Sequence, residues 1–409
     1  MKKNLWNKNF TYSFIGTIIS SIGGIGFNLG LSVYIYGQTQ STGLSALFSA
    51  LAMIPQFLLP IAVGTYIDRV HPVKVMVKNE RVLATIFVLS GLYLHITGFN
   101  YLFLLVVGFI STSLGVVSQL CSSSILPKLM EKENYNRGNS IMNMIYPLSN
   151  VVMTPIMMMV ITRFGVPAVF VFYGLSCYVD AYIESKIDIV FNFKKEDVKN
   201  TSWHHFKKDV VAGFDYVYKT PSIRSVFLFF VVVMAVNSVG SVLLYPYFSN
   251  TPFLGNEKYS LMLSVNSAGY LAGGLFLYLF SVPSKKRYLL SSFIFIYFII
   301  ADGFIFSFSF PILLITRFFA GFLGAQSANF RISAVQAMVP EELRGKVNAV
   351  FTVMINLSIF ISTGLIGVLG ERLPFAMIAI GAALLQLIAF LYWFLPSKNQ
   401  VASLYNYDI

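Results

Sequence analysis

Charged residues are scarce in this chain of 409 residues. They make up 11% of the sequence, whereas hydrophobic residues make up 56%. A soluble globular domain carries about 25% charged residues. So few charges cannot cover the surface of a soluble protein of this length. We therefore predict an all-α integral membrane protein whose helices face lipid.

Cysteine and acidic residues are also few. The two cysteines, Cys121 and Cys177, lie inside apolar runs, and this placement argues against the disulfide framework of an exported domain. Seventeen Asp and Glu against 29 Lys and Arg leave a net charge of +12. The basic residues stand in short groups between apolar runs rather than in one patch, so the charge does not indicate a nucleic-acid partner.

Two kinds of motif are missing. There is no phosphate-binding G-x-x-x-x-G-K-[ST] loop, which argues against an ATP-driven pump. No nucleophile with a base partner stands out, and neither does a set of metal ligands. The adjacent His204 and His205 would point in different directions on a helix. We expect no enzyme activity, no cofactor and no metal site.

Long apolar runs occupy most of the chain. A transmembrane helix needs about 20 mostly apolar residues, and twelve stretches meet this requirement. The first six are 10–37, 44–67, 82–98, 100–123, 139–162 and 165–185, and the second six are 222–248, 258–282, 288–308, 310–335, 346–370 and 374–395. We predict twelve transmembrane helices in two pseudo-symmetric bundles of six.

A polar segment separates the two sets of spans. Between Trp203 and Tyr218, apolar residues such as Phe206, Val210 and Phe214 recur at helical spacing, which predicts an amphipathic helix along the inner membrane face. The predicted parts are an N-terminal bundle at 1–190, a linker with this helix at 191–221, a C-terminal bundle at 222–396 and a cytoplasmic tail at 397–409.

The basic residues indicate the orientation. With the N-terminus inside, 25 of the 29 Lys and Arg fall on the cytoplasmic side, against Arg163, Lys258 and Arg372 outside and Arg317 within a span. Cytoplasmic loops of membrane proteins carry this excess. We predict a multi-pass protein of a bacterial-type plasma (inner) membrane with both termini in the cytoplasm.

A weak internal repeat relates the two halves. Arg137-Gly138 precedes the fifth span and Arg344-Gly345 precedes the eleventh, and both pairs follow a stretch of acidic and polar residues. Six plus six helices with such a repeat are typical of transporters built from parallel repeats.

The loop after the second span resembles that of the major facilitator superfamily. Gly64, Asp68 and Arg69 fit its G-x-x-x-D-R pattern. The superfamily usually has basic residues where positions 72 and 73 stand here, and Lys74, one place later, is the substitute.

Two further stretches resemble the macrolide-efflux-like branch of that superfamily. Residues 339–347 read VPEELRGKV, similar to the branch's V-P-x-x-x-R-G-R-V. Residues 213–221 contain a G-x-x-Y and a following T-P, which is also similar to the branch. The resemblance implies an alternating-access transporter in which spans 1, 4, 7 and 10 line the central cavity, with spans 2, 5, 8 and 11 alongside.

The resemblance also implies a gate. It assigns Asp68 a contact with the start of span 11, which here carries Arg344, Gly345 and Lys346. Such a contact would close the cytoplasmic side and break when the halves rock. The alternative is an ordinary positive-inside loop, which accounts for the basic residues but not for the lone Asp68.

One pair of charges stands inside the second half. Asp302 and Arg317 lie at about the same depth on two antiparallel spans joined by a short turn, so an ion pair between them is feasible. It would be a coupling or gating pair, or alternatively a structural pair that neutralises two buried charges.

Two acidic residues share one face of span 6. Asp180 and Glu184 are four residues apart. We expect Glu184 to be solvated at the membrane interface. Asp180, one turn deeper, would be a candidate proton carrier if it is desolvated.

Five side-chain amides fall in the middle of predicted spans. An unpaired amide in hydrocarbon is costly, so each should face a cavity or form an interhelical hydrogen bond. The resemblance makes the amides of spans 1, 7 and 10 the strongest cavity candidates. The five residues are Asn28, Asn150, Asn237, Gln326 and Asn356.

These observations predict a secondary active transporter. The first hypothesis is export of amphipathic small molecules, such as macrolide-like drugs, by a monomer that is coupled to protons and contacts membrane lipid. The second is transport of a specific endogenous solute, such as a siderophore or a lipid-like metabolite. A membrane receptor or scaffold that does not transport is a third alternative.

Overall fold

The computed structural model describes residues 5–67, 70–131, 134–189, 203–280, 282–396 and 398–406. Within these ranges every regular element is helical. A short 3₁₀ helix, Leu126–Leu129, follows the fourth helix, and a π-helical turn, Phe390–Phe394, follows the thirteenth. The helices are α1 (Lys8–Thr39), α2 (Thr42–Ile67), α3 (Pro72–Thr97), α4 (Tyr101–Ile125), α5 (Tyr135–Phe164), α6 (Val166–Glu184), α7 (Trp203–Lys219), α8 (Pro221–Asn250), α9 (Gly255–Leu279), α10 (Ser284–Gly303), α11 (Phe310–Met338), α12 (Glu341–Gly370), α13 (Phe375–Ala389) and α14 (Lys398–Tyr405).

Eleven of the described helices are long and apolar enough to cross a membrane. The helix at the ninth predicted span, α10, falls outside this set because Lys285, Lys286 and Arg287 stand in its first turn and Asp302 near its end. The prediction of an all-α integral membrane fold is confirmed.

The chain divides into two compact units. The first unit comprises Met1–Thr39 and Leu51–Ser202, and the second comprises Gln40–Ala50 and Trp203–Ile409. The first turns of α2 therefore pack with the second unit. The predicted boundaries at 190, 221 and 396 stay a prediction.

In the first unit, α6 packs closely against α3. Gly91 of α3 lies so near α6 that a Cβ there would stand 2.7 Å from the carbonyl oxygen of Pro167. Gly174 of α6 makes the reciprocal approach, 2.8 Å from the carbonyl oxygen of Ala84. Glycines at these positions bring the two backbones together and fix which side chains lie between the helices.

Several helices begin earlier than the hydropathy pattern predicts. The third span was expected from residue 82, but α3 begins at Pro72, a favoured first helical residue. Its early turns are amphipathic: Val73 and Met76 are buried, whereas Lys74 is exposed. Similarly, α5 begins at Tyr135 and α12 at Glu341, so both Arg-Gly pairs lie in helical first turns rather than in loops.

The second unit has a core of aromatic side chains contributed by α8, α10, the π-helical turn and α14. Phe229, Phe295 and Phe394 form edge-to-face and tilted pairs with centroids 4.7–5.2 Å apart, which is the favoured range for such rings. Tyr405 of α14 is 2% exposed and packs on Phe394. The segment predicted as a tail thus contains a helix that docks into this core.

The predicted amphipathic helix is present as α7. Gly213 packs against the start of α12, where a Cβ would stand 2.7 Å from the carbonyl oxygen of Lys346. Within the predicted apolar face, Val217 is buried and Phe214 is exposed. The side chains of residues 203–210, including His204 and His205, lie outside the described part of the chain.

A carboxylate caps the N-terminus of α2. Glu371, just after α12, accepts hydrogen bonds from the Gly43 N–H at 2.8 Å and the Ser41 hydroxyl at 2.7 Å. An anion at this end of a helix also interacts favourably with the helix dipole. These hydrogen bonds, that from Gly43 foremost, hold the pKa of Glu371 below its ordinary value.

Replacing Glu371 by Gln is expected to lower stability modestly, by about 0.5–1 kcal/mol, because the lost cap is exposed to solvent. Because the pKa of Glu371 is lower in the folded than in the unfolded state, its stabilising effect is complete at a pH above the unfolded-state pKa. The effect is lost as the pH falls through the folded-state pKa. Thermal unfolding of the two proteins from pH 6 to pH 3 should therefore converge at the acid end. Glu257→Gln, at an exposed carboxylate of the same unit, is the control, and a pH-independent difference would contradict the capping role.

Candidate functional site

The second unit contains a cavity of about 340 Å³ between α8, α9, α10 and α11. Its volume is within the range of small-molecule sites, about 300–1,000 Å³. Aromatic and Met side chains form its apolar wall, among them Phe230, Met234, Met262, Phe295 and Phe298. Its polar wall contains Asn237, Asn266, Asp302, Arg317, Ser327, Arg331 and Gln386.

Close packing of α9 on α11 positions one side of this cavity. A Cβ on Gly321 would overlap the carbonyl oxygen of Asn266, and one on Gly273 would overlap that of Phe322. The glycines bring the two backbones into contact. Asn266 and Tyr270, both cavity-lining residues, are thereby held opposite α11.

Asp302 and Arg317 meet at the cavity wall. Arg317 Nη2 donates to Asp302 Oδ1 at 2.8 Å, and the Arg317 and Asp302 side chains are 11% and 20% exposed, respectively. The same nitrogen lies 3.4 Å from the carbonyl oxygen of Ala301. The pair leaves no net charge, and its role in coupling or in structure stays a prediction.

Arg331 was missed as a site residue because it was counted among the cytoplasmic basic residues, although it falls inside the predicted span 310–335. Since α11 continues to Met338, Arg331 lies within the helix and lines the cavity. Its guanidinium stacks on Phe351, 4.4 Å from the ring centroid, and on Phe230 at 5.1 Å. The sequence did contain a signal that the helix continues past Arg331, because the residues from Ile332 to Met338 are mostly apolar.

Of the five predicted amides, Asn237 lines this cavity. In the same unit, Gln326 is buried and Asn356 half-buried, and neither is part of the cavity wall. In the first unit, Asn28 is exposed on α1, and Asn150 accepts a hydrogen bond from Thr154 of its own helix.

Two further amides on the cavity wall, Asn266 and Gln386, were not predicted. Gln386 is 1% exposed, and neither its Oε1 nor its Nε2 has a hydrogen-bond partner among the described residues. Asn266 belongs to span 8, which the superfamily resemblance places alongside the cavity, and this was the available signal. Gln386 belongs to span 12, which the resemblance does not place there, so no sequence signal distinguished it.

The predicted gate is only partly described. Asp68 and Arg69 lie outside the described residues, and Gly64 lies in α2 with its surroundings undescribed. Lys74 is exposed in the first turn of α3. At the start of α12, Arg344 Nε donates to the carbonyl oxygen of Val339 at 3.0 Å, Gly345 is exposed and Lys346 is half-buried. The gating role of these residues stays a prediction.

The first unit buries three carboxyl groups between α1, α3 and α6. Glu80, Asp180 and Glu184 are 6%, 3% and 7% exposed. The expectation of a solvated Glu184 is wrong, because α1 covers this face of α6: Gly16 lies so close that a Cβ there would overlap Asp180 Oδ1 and stand 3.2 Å from Glu184 Cγ. Glu80 was missed because the third span was expected to begin after it.

The surroundings of these carboxyl groups are polar but uncharged. The Ser118 hydroxyl donates to Glu80 Oε1 at 2.6 Å. One oxygen of each carboxyl, namely Glu80 Oε2, Asp180 Oδ1 and Glu184 Oε2, has no hydrogen-bond partner among the described residues. In this part of the chain no Lys, Arg or His pairs with them, and they do not converge in metal-binding geometry.

A family model described as transmembrane secretion effector matches residues 3–404. None of the curated proteins compared with the chain matches it.

Three solved transporters have the same fold. A bacterial homolog of the human lysosomal transporter Spinster, inward-facing and unoccupied, matches with a TM-score of 0.67 at 13% identity, over 97% of this chain and 98% of that one. The nucleoside transporter NupG matches with a TM-score of 0.75 at 12% identity, over 95% of this chain and 99% of that one. A D-xylose-proton symporter matches with a TM-score of 0.65 at 12% identity, over 96% of this chain and 99% of that one.

Because the family model covers nearly the whole chain, this protein belongs to the transmembrane secretion effector family of the major facilitator superfamily and is a multi-pass membrane transporter, not an enzyme.

Proposed function

We propose that this transporter exports amphipathic small molecules by alternating access. The observation that carries the proposal is the cavity of the second unit, in which Asn237 and the Asp302–Arg317 pair face aromatic and Met side chains. A ligand with one polar and one apolar face fits such a lining. The family description, transmembrane secretion effector, supports export as the direction.

Macrolide-like drugs are the first candidate substrates, and an endogenous solute such as a siderophore or a lipid-like metabolite is the second. One observation favours the second class. Arg331 adds a positive charge to the cavity wall that no described carboxylate balances. A positive lining repels the cationic amines that many amphipathic drugs carry.

The proposed driving force is the proton gradient, and the buried carboxyl groups of the first unit are the proposed proton carriers. A buried ionised carboxylate without a basic partner is very unfavourable, so such groups take up a proton instead. Asp180, the carrier expected from the sequence, shares this environment with Glu80 and Glu184. A proton-coupled sugar transporter has the same fold.

We place the protein, as a monomer, in a bacterial-type inner membrane with both termini in the cytoplasm. The excess of Lys and Arg in the predicted cytoplasmic segments supports this orientation.

Everted membrane vesicles test the proposal directly. Vesicles that contain the protein should accumulate a panel of hydrophobic drugs or metallophores when a pH gradient is imposed. We expect Asp180→Asn to reduce this accumulation at least tenfold, because an amide cannot release a proton. Glu80→Gln and Glu184→Gln should reduce it as well.

Asp188→Asn provides the matched control, because this residue follows the same helix but is exposed. It should transport as the wild type does. Unchanged gradient-driven transport by Asp180→Asn would refute the proton-carrier role, and no accumulation of any compound by the wild type would refute export of amphipathic molecules.

A further inference from the structure

We propose that Arg331 binds an anionic oxygen group, such as a carboxylate, of the ligand that occupies the cavity of the second unit. The inference rests on the proposed function, because it specifies the substrate class of the same cavity. It makes the substrate an anionic amphipath.

The charge balance of the cavity is the first reason. Two guanidinium groups, those of Arg317 and Arg331, line it together with one carboxylate, that of Asp302. Asp302 is paired with Arg317. No described carboxylate forms an ion pair with Arg331. An uncompensated charge within a membrane-spanning unit is costly, and an anionic ligand would remove that cost.

The position of Arg331 is the second reason. Its guanidinium carbon lies 5.1 Å from the ring centroid of Phe230 and 4.4 Å from that of Phe351, and these cation–π contacts partly compensate the charge. Neither ring offers the guanidinium an oxygen acceptor. Arg331 Nε is buried and has no hydrogen-bond partner among the described residues. Guanidinium edge donors match the two oxygens of a carboxylate.

Unpartnered polar groups on the same wall are the third and independent reason. Gln386 is 1% exposed, lines the cavity, and has no hydrogen-bond partner for either amide atom within the described ranges. Arg317 Nε is also buried and has no hydrogen-bond partner within those ranges. Buried polar groups in native proteins are almost always hydrogen-bonded. A ligand with an acceptor group beside Gln386 would satisfy its Nε2, while the apolar body of the ligand would contact Met234, Met262 and Phe298.

Binding of a matched set of naphthalene compounds to the purified full-length protein tests the inference. The set consists of naphthalene-2-carboxylate, its neutral carboxamide and naphthalen-2-ylmethylamine, which share one apolar body. By calorimetry, the carboxylate should bind at least tenfold more tightly than the carboxamide, and the amine most weakly. Arg331→Gln should remove the preference for the carboxylate, because it should lower the affinity for the carboxylate at least tenfold more than that for the carboxamide.

Arg224→Gln is the control variant. Arg224 also stacks on an aromatic ring, Tyr218 at 5.3 Å, but it lies outside the cavity, so the preference for the carboxylate should persist. Asn266→Asp should abolish the preference without removing Arg331, because it adds a carboxylate to the same wall. This second variant keeps the test decisive if Arg331→Gln does not fold.

Three results would overturn the inference: equal affinity for the carboxylate and the amine, an unchanged preference in Arg331→Gln, or an equal loss of carboxamide binding in that variant. Displacement of the bound carboxylate by phosphatidylglycerol but not by phosphatidylcholine would show that a lipid phosphate can supply the anionic group, and it would support the inference. Transport in proteoliposomes separates the two proposals. Selective binding of the carboxylate without transport of any compound would refute the proposed function alone, whereas transport that ignores ligand charge and Arg331 would refute the inference alone.

Discussion

Replacing Asp302 by Asn is expected to destabilise the second unit by about 3 kcal/mol, the lower end of the range for breaking a buried ion pair. The substitution leaves the guanidinium of Arg317, which is 11% exposed, beside a neutral amide. Because so little of the Arg317 side chain is exposed, water cannot replace the lost ion pair. The apparent melting temperature of the purified protein, followed by size-exclusion chromatography, measures the effect.

A second ion pair of the same unit is the matched control. Lys219 Nζ lies 2.7 Å from Asp215 Oδ2, but these side chains are 70% and 55% exposed. Exposed pairs contribute about 0–1 kcal/mol, so Asp215→Asn should have almost no effect. Equal effects of the two substitutions would contradict the importance of burial.

The double variant Asp302→Asn with Arg317→Met separates structure from mechanism. Replacing both charges removes the unpaired guanidinium, and exchanging a buried ion pair for apolar groups is often neutral for stability. We therefore expect most of the lost stability to return. Recovery of transport as well would indicate a structural pair, whereas a stable variant without transport would indicate a coupling or gating pair.

Replacing Gly273 by Ala is expected to have the second large effect. A Cβ at this position would overlap the backbone carbonyl oxygen of Phe322. Backbone cannot move aside as a flexible side chain can, so α9 and α11 must separate. Overpacking of this kind costs about 1–3 kcal/mol. Because both helices line the cavity, ligand affinity should fall together with thermal stability.

The neighbouring glycine provides an unusually close control. Gly274 stands on the same helix, one residue on, and a Cβ added there would have no atom within 4 Å. Alanine is favoured over glycine within a helix by about 1 kcal/mol, so Gly274→Ala should be neutral or stabilising. If the two variants are equally stable, the close approach of α9 and α11 does not contribute to the fold.

Hydropathy predicted the existence of the membrane helices better than their ends. The third helix begins ten residues before the predicted span, because its early turns place Val73 and Met76 inward and Lys74 outward. Averaging hydropathy over a span cannot distinguish such an amphipathic turn from a loop. The same error hid Glu80, two turns into α3.

The candidate sites were predictable only where a local rule applied. The depth of Asp302 and Arg317 on antiparallel neighbours follows from helix rise and turn length, and the paired nitrogen and oxygen atoms lie 2.8 Å apart. No such rule identifies Gln386 or Asn266, because their exposure to the cavity depends on how the surrounding helices are rotated. A mid-span amide is equally compatible with a hydrogen bond to another side chain, as Asn150 and Thr154 illustrate within one helix.

The sequence by itself determined the membrane setting, the helical class and the family, because composition and short motifs are properties of the chain alone. Only the tertiary structure decided which polar groups share an environment. Glu80 and Asp180 are a hundred residues apart in the chain, and Glu184 was expected in water, yet all three are buried against the same helix faces. The physical reason is that close approach at glycines such as Gly16 and Gly321 sets the rotation of each helix, and that rotation selects the side chains facing a cavity rather than lipid.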